Sequence, residues 1–351
     1  MTVRWWFDFL TEWENAMKKM VIALALVAAL AVGAVAGEPN PANADRILVF
    51  VPKATNSQFW IAIWDGAKQA AKELGYKEVK FQGAASAGDV LGQINILNDV
   101  ATSRPSGILI AVNDQMALKN PVEDAIDAGV PVVTVNSGVQ SEKVSAHAGT
   151  DNYNAGAMGA HTLAKLIGEK GLVMNIGIDA SSETGRQRES GFRETMEKHY
   201  PEVKLLPTQH SLGDVNRAMN ITSDQLTGNP DVVGIFCAQD NGGTGAAQAL
   251  KQRGVKDKIK LVAFDSSPDE FLLFLDGYLD ALVVQDPFMQ GYQGVYAIDP
   301  VINGGQPEKK YFETMAKVVT MDNISEPEYY DVMARNPTIK DMMTKRGITS
   351  K

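Results

Sequence analysis

The sequence predicts an α/β protein built from two doubly wound, Rossmann-like lobes. Three observations predict it. First, short apolar runs such as 47–51 and 107–112 alternate with stretches whose apolar residues fall at helical spacing. Second, the apolar runs end in polar residues, where strands of a doubly wound sheet meet their ligands. Third, the plan repeats. PSGILIAVNDQMALKNPVEDAIDAGVPVVTVNS begins at Pro105, and PDVVGIFCAQDNGGTGAAQALKQRGVKDKIKLVAFDS begins at Pro230. Both read Pro, apolar strand, Ala, polar residue, Asp, loop, Ala-rich helix, Gly-Val, apolar strand, then Asn-Ser or Asp-Ser.

Residues 1–44 read as an export address. Met17-Lys18-Lys19-Met20 precedes an apolar run over 21–36, and two small-residue exits follow, Ala34-Val35-Ala36 and Ala42-Asn43-Ala44. The second is favoured, because Asp45 then leads straight into the first strand. The apolar run is shorter than the ~20 residues a spanning helix needs. Asp8, Glu12 and Glu14 do not suit a basic start, so Met17 is the expected biological start. No Cys lies near the cleavage region, so a lipid anchor is not expected, and the destination is the periplasm.

The strand over 47–51 leads through the polar loop 52–57 into a helix carrying Phe59, Ile63, Ala67, Ala70, Ala71 and Leu74, which Gly75 stops. A second strand begins at Tyr76. A helix over 90–101 follows, then a strand over 107–112 ending in Asn113-Asp114. Pro121 opens the next helix, and a strand over 131–135 ends in Asn136-Ser137. Residues 147–154 read as irregular and lead into a helix through 157–167. The second copy starts with a strand over 171–178, a polar loop over 179–188 and a helix over 189–199. Later segments read as helix 271–275, turn at Gly277, strand 279–284, helix 288–302 and a final strand 314–321. The remainder reads as a polar surface tail with short helices. The expected lobes are 45–149 plus 286–314 and 150–285 plus 315–333, with 334–351 as the tail.

The formal charge of −9 argues against nucleic acid and anionic membrane surfaces as partners. The single Cys237 excludes an intrachain disulfide framework and a multi-Cys metal site. The four His (147, 161, 199, 210) lack metal spacing. There is no G-x-S-x-G, H-E-x-x-H, P-loop or C-x-x-C, so neither an enzyme, a metal nor a cofactor is expected. The run Asn241-Gly242-Gly243-Thr244-Gly245 lacks the G-x-G-x-x-G spacing, and Asp240 beside it would repel phosphate. Those glycines either let backbone approach a ligand or hinge, or form a tight turn.

Polar residues at the predicted strand ends form one set: Asn56, Ser57, Asn113, Asp114, Asn136, Ser137, Arg186, Asp240, Asp265 and Gln285. Each alone could be a helix cap or turn former. Together their types suit sugar hydroxyls: carboxylates accept, Arg donates in a fixed fork, and amides do both. Phe59 and Trp60 offer flat apolar faces for the C–H side of a sugar ring. Lys53 adds an ammonium to the same loop.

With these residues in place the chain resembles the periplasmic sugar-binding proteins of ABC importers, the ribose-binding-protein-like group of type I periplasmic binding proteins, from about residue 45 onward. The motifs that carry the resemblance are Asn56-Ser57-Gln58-Phe59-Trp60 with Asp65-Gly66-Ala67; Thr150-Asp151-Asn152; Gly185-Arg186 with Arg188 and Gly191-Phe192; Ala238-Gln239-Asp240; Phe264-Asp265-Ser266 with Pro268-Asp269; and Gln285 before Gly291. The resemblance implies that Phe59 and Trp60 flank the ring and that Asn56 or Ser57 contacts hydroxyls from the first lobe. Arg186, Asp240 and Asp265 would do so from the second lobe and Gln285 from the hinge, and Asp151, in the Thr150-Asp151-Asn152 motif, is also implied as a ligand contact. The resemblance also implies a three-strand hinge, the type I periplasmic binding protein arrangement, with interlobe crossings near Gly149-Thr150, Gln285-Asp286 and Thr314-Met315. A monomer that closes on its ligand and is then read by a membrane permease is implied. Two departures matter. Where the ribose-type pattern has Asp-Arg, this chain has Asn136-Ser137, which argues against ribose itself. VPKATNSQFW with Lys53, and FQGAASAGDVLGQINILN, look like the autoinducer-2-binding branch, so a ligand sensor for a chemoreceptor or kinase is the alternative expectation.

Overall fold

The structure, a computed structural model, describes residues 39–55, 57–86, 88–180 and 182–351. The expected leader and Asn56 therefore lie largely or wholly outside the described residues. The first lobe runs β1 (Ile47–Val51), α1 (Gln58–Glu73), β2 (Glu78–Phe81), α2 (Val90–Thr102), β3 (Gly107–Ile110), α3 (Lys119–Asp127), β4 (Val132–Val135) and β5 (Ala146–Thr150). The chain then enters the second lobe: α4 (Asn152–Leu166), β6 (Gly171–Gly177), α5 (Glu183–His199), β7 (Val203–Leu205), β8 (Gln209–His210), α6 (Val215–Gly228), β9 (Val232–Cys237), α7 (Asp240–Arg253), β10 (Lys260–Phe264), α8 (Pro268–Leu275) and β11 (Ala281–Val284). It returns to the first lobe with α9 (Pro287–Ile302) and β12 (Tyr311–Thr314), and ends on the second with β13 (Lys317–Val319), α10 (Pro327–Ala334) and α11 (Pro337–Lys345).

The first sheet has the order β12-β5-β4-β3-β1-β2 and the second β13-β11-β10-β9-β6-β7, with β8 also on β6. Every pairing is parallel except β11 with β13. A parallel sheet needs helices over both faces, and its strands then read as unbroken apolar runs. Accordingly β3, β4 and β11 are buried at every residue. In the first lobe α1 and α9 cover one face, and α2 and α3 the other. In the second, α4 and α5 cover one face, and α6, α7 and α8 the other.

Each lobe also contains a helix pair that crosses backbone to backbone. A Cβ on Gly291 would stand 1.8 Å from the Ile63 carbonyl oxygen, and one on Gly66 would stand 1.9 Å from that of Phe288. In the second lobe Gly191 and Gly156 play the same part for α5 and α4, against the Tyr153 and Arg188 carbonyls. Only glycine permits such an approach, which brings the starts of α9 and α4 against the middles of α1 and α5.

Four readings of the sequence change. Residues 146–150 form a strand although Thr150 is the one β-branched residue of AHAGT, because β4 and β12 flank it and supply its ladder. The loop expected over 179–188 gives way at Glu183 to a helix, capped by Ser182. The glycines 242, 243 and 245 are helical. They give room to Glu270, Ala263 and Val215 at close helix contacts rather than making a turn. The strand expected over 314–321 is two strands, one in each sheet, and the expected tail buries Ile339 and Met343 in the second core.

Candidate functional site

The strand ends of the two sheets face one another across a cleft, with the crossings at 150–152, 285–287 and 315–316 behind it. The polar groups there are held by a chain of hydrogen bonds that runs from lobe to lobe. Gln290, fully buried on α9, accepts at Oε1 from Asn136 Nδ2 (3.3 Å) and donates from Nε2 to Thr150 Oγ1 (3.1 Å) and Gln285 Oε1 (3.4 Å). Gln285 Nε2 donates to Asp265 Oδ1 (2.5 Å). Asp265 Oδ2 lies 3.6 Å from Arg188 Nη1. Arg188 donates from Nε to Asn152 Oδ1 (2.9 Å) and from Nη1 to the Ala238 carbonyl (2.8 Å). Its guanidinium lies 3.8 Å over the Phe264 ring.

Arg188 is only 4% exposed. Burial lowers its pKa, and the charges of Asp265 and Asp240 act against that. A buried guanidinium of this kind is fixed by its planar fork and always charged. Asp240, the first residue of α7, accepts from Ser267 and from backbone, yet burial and the neighbouring Asp265 raise its pKa to about 6. Beneath it the carboxyl of Glu270 is fully buried against Gly243. It has no hydrogen-bond partner among the described residues, and its pKa is pushed well up by burial. The neighbouring charges of Asp240 and Asp265 push in the same direction, toward the protonated form of Glu270.

The first lobe presents different groups. Burial brings the Lys53 ammonium down to about 8; the positive charge of Arg188 adds to this and Glu183 opposes it. Lys53 is thus within electrostatic reach of the second lobe. Glu183 accepts the Gly138 N–H, a direct contact between lobes. Both side-chain amide atoms of Asn113 are buried with no hydrogen-bond partner among the described residues, although its backbone N–H donates to Gln93 Oε1 (2.8 Å). Phe59 is half-buried and meets the buried Trp60 edge-on at 5.0 Å between ring centroids.

Other expected site residues are spent on the scaffold. Ser57 Oγ caps α1 by accepting from Phe59 N, and Asp151 caps α4 by accepting from Asn154 N. Ser137 Oγ donates to the Val112 carbonyl. Arg186 is exposed and donates to the Ala180 carbonyl (3.1 Å). The structure therefore brings Asn136, Asp240, Asp265 and Gln285 together with Gln290 and Arg188, sets Lys53 within electrostatic reach of Arg188, leaves Asn113 just beyond β3, and puts Arg188 where Arg186 was expected. Arg188, Asn152, Gln290 and Glu183 were not on the expected list. A signal existed for Arg188. Once the helix is extended back to Glu183, Thr184, Arg188, Gly191, Phe192 and Thr195 fall on one buried stripe and Arg186 does not.

A cavity of about 300 Å³ adjoins the cleft and shares Asn136, Thr150 and Asn152 with it. His147 lines it, neutral because burial brings its imidazole down to about 4. Thr134 Oγ1 lies 2.8 Å from its Nδ1, and Tyr311 stacks on its ring.

Residues 48–306 match the profile of the periplasmic binding protein domain. The chain is 29% identical over 295 residues to the ribose import binding protein of Escherichia coli, covering 84% of this chain and 96% of that one. The crystal structure of a carbohydrate transporter solute-binding protein from Agrobacterium radiobacter, in complex with D-arabinose, superposes with a TM-score of 0.78 at 31% identity, over 82% of this chain and 99% of that one. An ABC transporter solute-binding protein from Agrobacterium vitis, bound to α-D-tagatopyranose, gives 0.77 at 30% identity, over 82% and 99%.

Proposed function

The chain belongs to the periplasmic binding protein family, and from that premise we propose that it is the exported, substrate-binding component of a sugar ABC importer. It holds one neutral monosaccharide or similar polyol between its lobes and delivers it, without turnover, to an inner-membrane permease. The sugars named for its structural relatives, D-arabinose and α-D-tagatopyranose, are of this class. The observation that carries the reading is the pairing of Arg188 with Asp265 and Asp240 on one lobe, joined by the partnerless amide of Asn113, just beyond β3 of the other. Carboxylates, a fixed guanidinium and a free amide are complementary to hydroxyls that donate and accept at once. Lys53 and Arg188 set two cations against the carboxylates Asp240 and Asp265, so no single sign of charge dominates the site. Closure would bring these groups to bear together, and closure is what a permease can recognise.

Asn136-Ser137 supports a ligand other than ribose. Asn136 spends its amide N–H on Gln290, and Ser137 spends its hydroxyl on Val112, so neither an acidic acceptor nor a bidentate fork stands there. Lys53 favours a second reading, in which autoinducer-2 is the ligand and a chemoreceptor or kinase the reader. One experiment covers both: a thermal-shift and calorimetric panel of pentoses, hexoses, polyols and autoinducer-2. A pentose, hexose or polyol that binds at micromolar affinity or tighter and raises the melting temperature is the expected result. Silence across the whole panel would refute both readings.

A further inference from the structure

Residues 39–46 are described as part of the first lobe, and what they do there bears on where an exported chain is cut. Asn40 caps a short 3₁₀ turn, Pro41–Asn43, through its own Oδ1, which accepts from Ala42 N (3.1 Å). Its backbone N–H donates to the Leu74 carbonyl (3.2 Å). Asn43 is 0% exposed. Its Nδ2 donates to that same Leu74 carbonyl (2.9 Å) and to Asp299 Oδ1 (3.0 Å), and its Oδ1 accepts from Arg46 Nη1 (2.8 Å). Tyr76 Oη donates to the same Asp299 oxygen (2.8 Å). Leu74 is the C-cap of α1, where the last carbonyls of a helix have no partner within it. The segment therefore closes the end of α1 and ties it to α9. A buried amide with three good hydrogen bonds is structure, not leader.

Of the two small-residue exits, Ala42-Asn43-Ala44 contains this buried asparagine. Cutting after Ala44 would remove both donors to Leu74 and one donor to Asp299. Ala34-Val35-Ala36 lies directly at the end of the apolar run 21–36, as a leader's exit does. The other exit would leave GEPNPANA between the apolar run and the cut. We propose that the processing site is the Ala36–Gly37 bond, so that the exported protein begins Gly37-Glu38-Pro39 and keeps Asn40 and Asn43. The proposal rests on the export reading above.

The test is to express the full chain in a Gram-negative host and take the intact mass and N-terminal sequence of the periplasmic fraction. Gly37 as first residue is expected. Asp45 as first residue would overturn the assigned bond while leaving export intact. An uncut chain held in the cytoplasm would overturn the export reading, and the assignment with it. A second arm compares purified chains beginning at Gly37 and at Asp45. The shorter one should melt roughly 5 °C lower, the size expected for losing a few buried hydrogen bonds from a large domain. Asn43→Ala in the longer chain should lose part of the same margin. Equal melting temperatures in all three would overturn the structural basis.

Discussion

Asn136 and Asp265 occupy the same place in the two copies of the fold. Each follows the last residue of a central strand, β4 and β10, and each has left-handed backbone, with φ of 63° and 76°. Asn and Asp tolerate this region better than other residues with a Cβ. Two glutamines span the gap between them: Asn136 to Gln290, Gln290 to Gln285, Gln285 to Asp265. The polar ends of the two sheets are thus one network, and α9 of the first lobe contributes Gln290 to it. Gln290→Leu should leave Asn136, Thr150 and Gln285 short of partners. We expect a loss of about 2–3 kcal/mol in stability and about tenfold weaker ligand binding, since 1.4 kcal/mol is tenfold. Chemical denaturation and calorimetry on the same variant measure both. Unchanged affinity would make the network purely structural.

Arg188 and Arg186 make a matched pair for the second test. Arg188→Ala leaves Asp265 and Asn152 without their buried cation and should cost about 3–5 kcal/mol of stability, the range for breaking a buried pair. Arg188→Lys is the informative variant, because it keeps charge but loses the fork. It should fold and still bind at least about 30-fold more weakly, roughly 2 kcal/mol. Arg186→Ala should change affinity by less than about threefold, as exposed side chains usually do. A larger loss at position 186 than at 188 would reverse the assignment made from the geometry.

These two arginines also mark what the sequence made legible. The fold class, the repeat and the cleft could be read because parallel strands buried on both faces leave apolar runs, and the two copies share one pattern. The strand-end carboxylates Asp240 and Asp265 followed from that. Arg188 did not, because helical phase fixes which of two nearby arginines turns inward, and the helix starts at Glu183, inside the segment that reads as a polar loop. Gln290 lies mid-helix, far in sequence from Asn136, and only the folded chain brings them together. Ser57, Asp151 and Ser137 have the residue types of ligand contacts and of caps, and nothing local distinguishes the two.

The glycine pairs test the fold itself. Gly291→Ala would drive a Cβ into the Ile63 carbonyl, which is backbone and cannot rotate away. Separating α1 from α9 should cost about 1–3 kcal/mol, as overpacking does, seen as a lower melting temperature. Because α9 also carries Gln290, weaker ligand binding should accompany it. Gly228→Ala, at the exposed end of α6 where an added Cβ meets nothing, is the control and should be neutral or slightly stabilising.

Titration should be visible in binding. Asp240 is raised to about 6 and Lys53 lowered to about 8 by the fold. In the ligand-free protein the signs follow from proton uptake. A carboxyl with a raised folded pKa stabilises least above about 6, so that contribution falls as pH rises from the unfolded value. A lysine with a lowered folded pKa penalises folding below about 8, and the penalty lifts as pH rises further. Ligand hydroxyls that donate to ionised Asp240 reverse the first trend for binding. Affinity should therefore be greatest between about pH 6 and 8 and weaken on both sides. Asp240→Asn should flatten the acid limb alone, and Lys53→Met the alkaline limb alone. A pH profile unchanged in both variants would remove these groups from the site.

Asn113 gives the sharpest separation of stability from binding. A buried amide without partners costs the protein its desolvation, on the order of 1–3 kcal/mol, while a ligand that pairs it recovers that energy on binding. Asn113→Leu fills similar space without the polar atoms. It should therefore raise the melting temperature of the ligand-free protein, by an amount equivalent to about 1 kcal/mol. It should also weaken ligand binding by roughly 10- to 100-fold, or about 1.4–2.8 kcal/mol. The two effects come from one cause with opposite sign, so they must appear together. A variant that loses stability and affinity alike would mean that Asn113 is paired within the fold, and its place in the cleft would be structural.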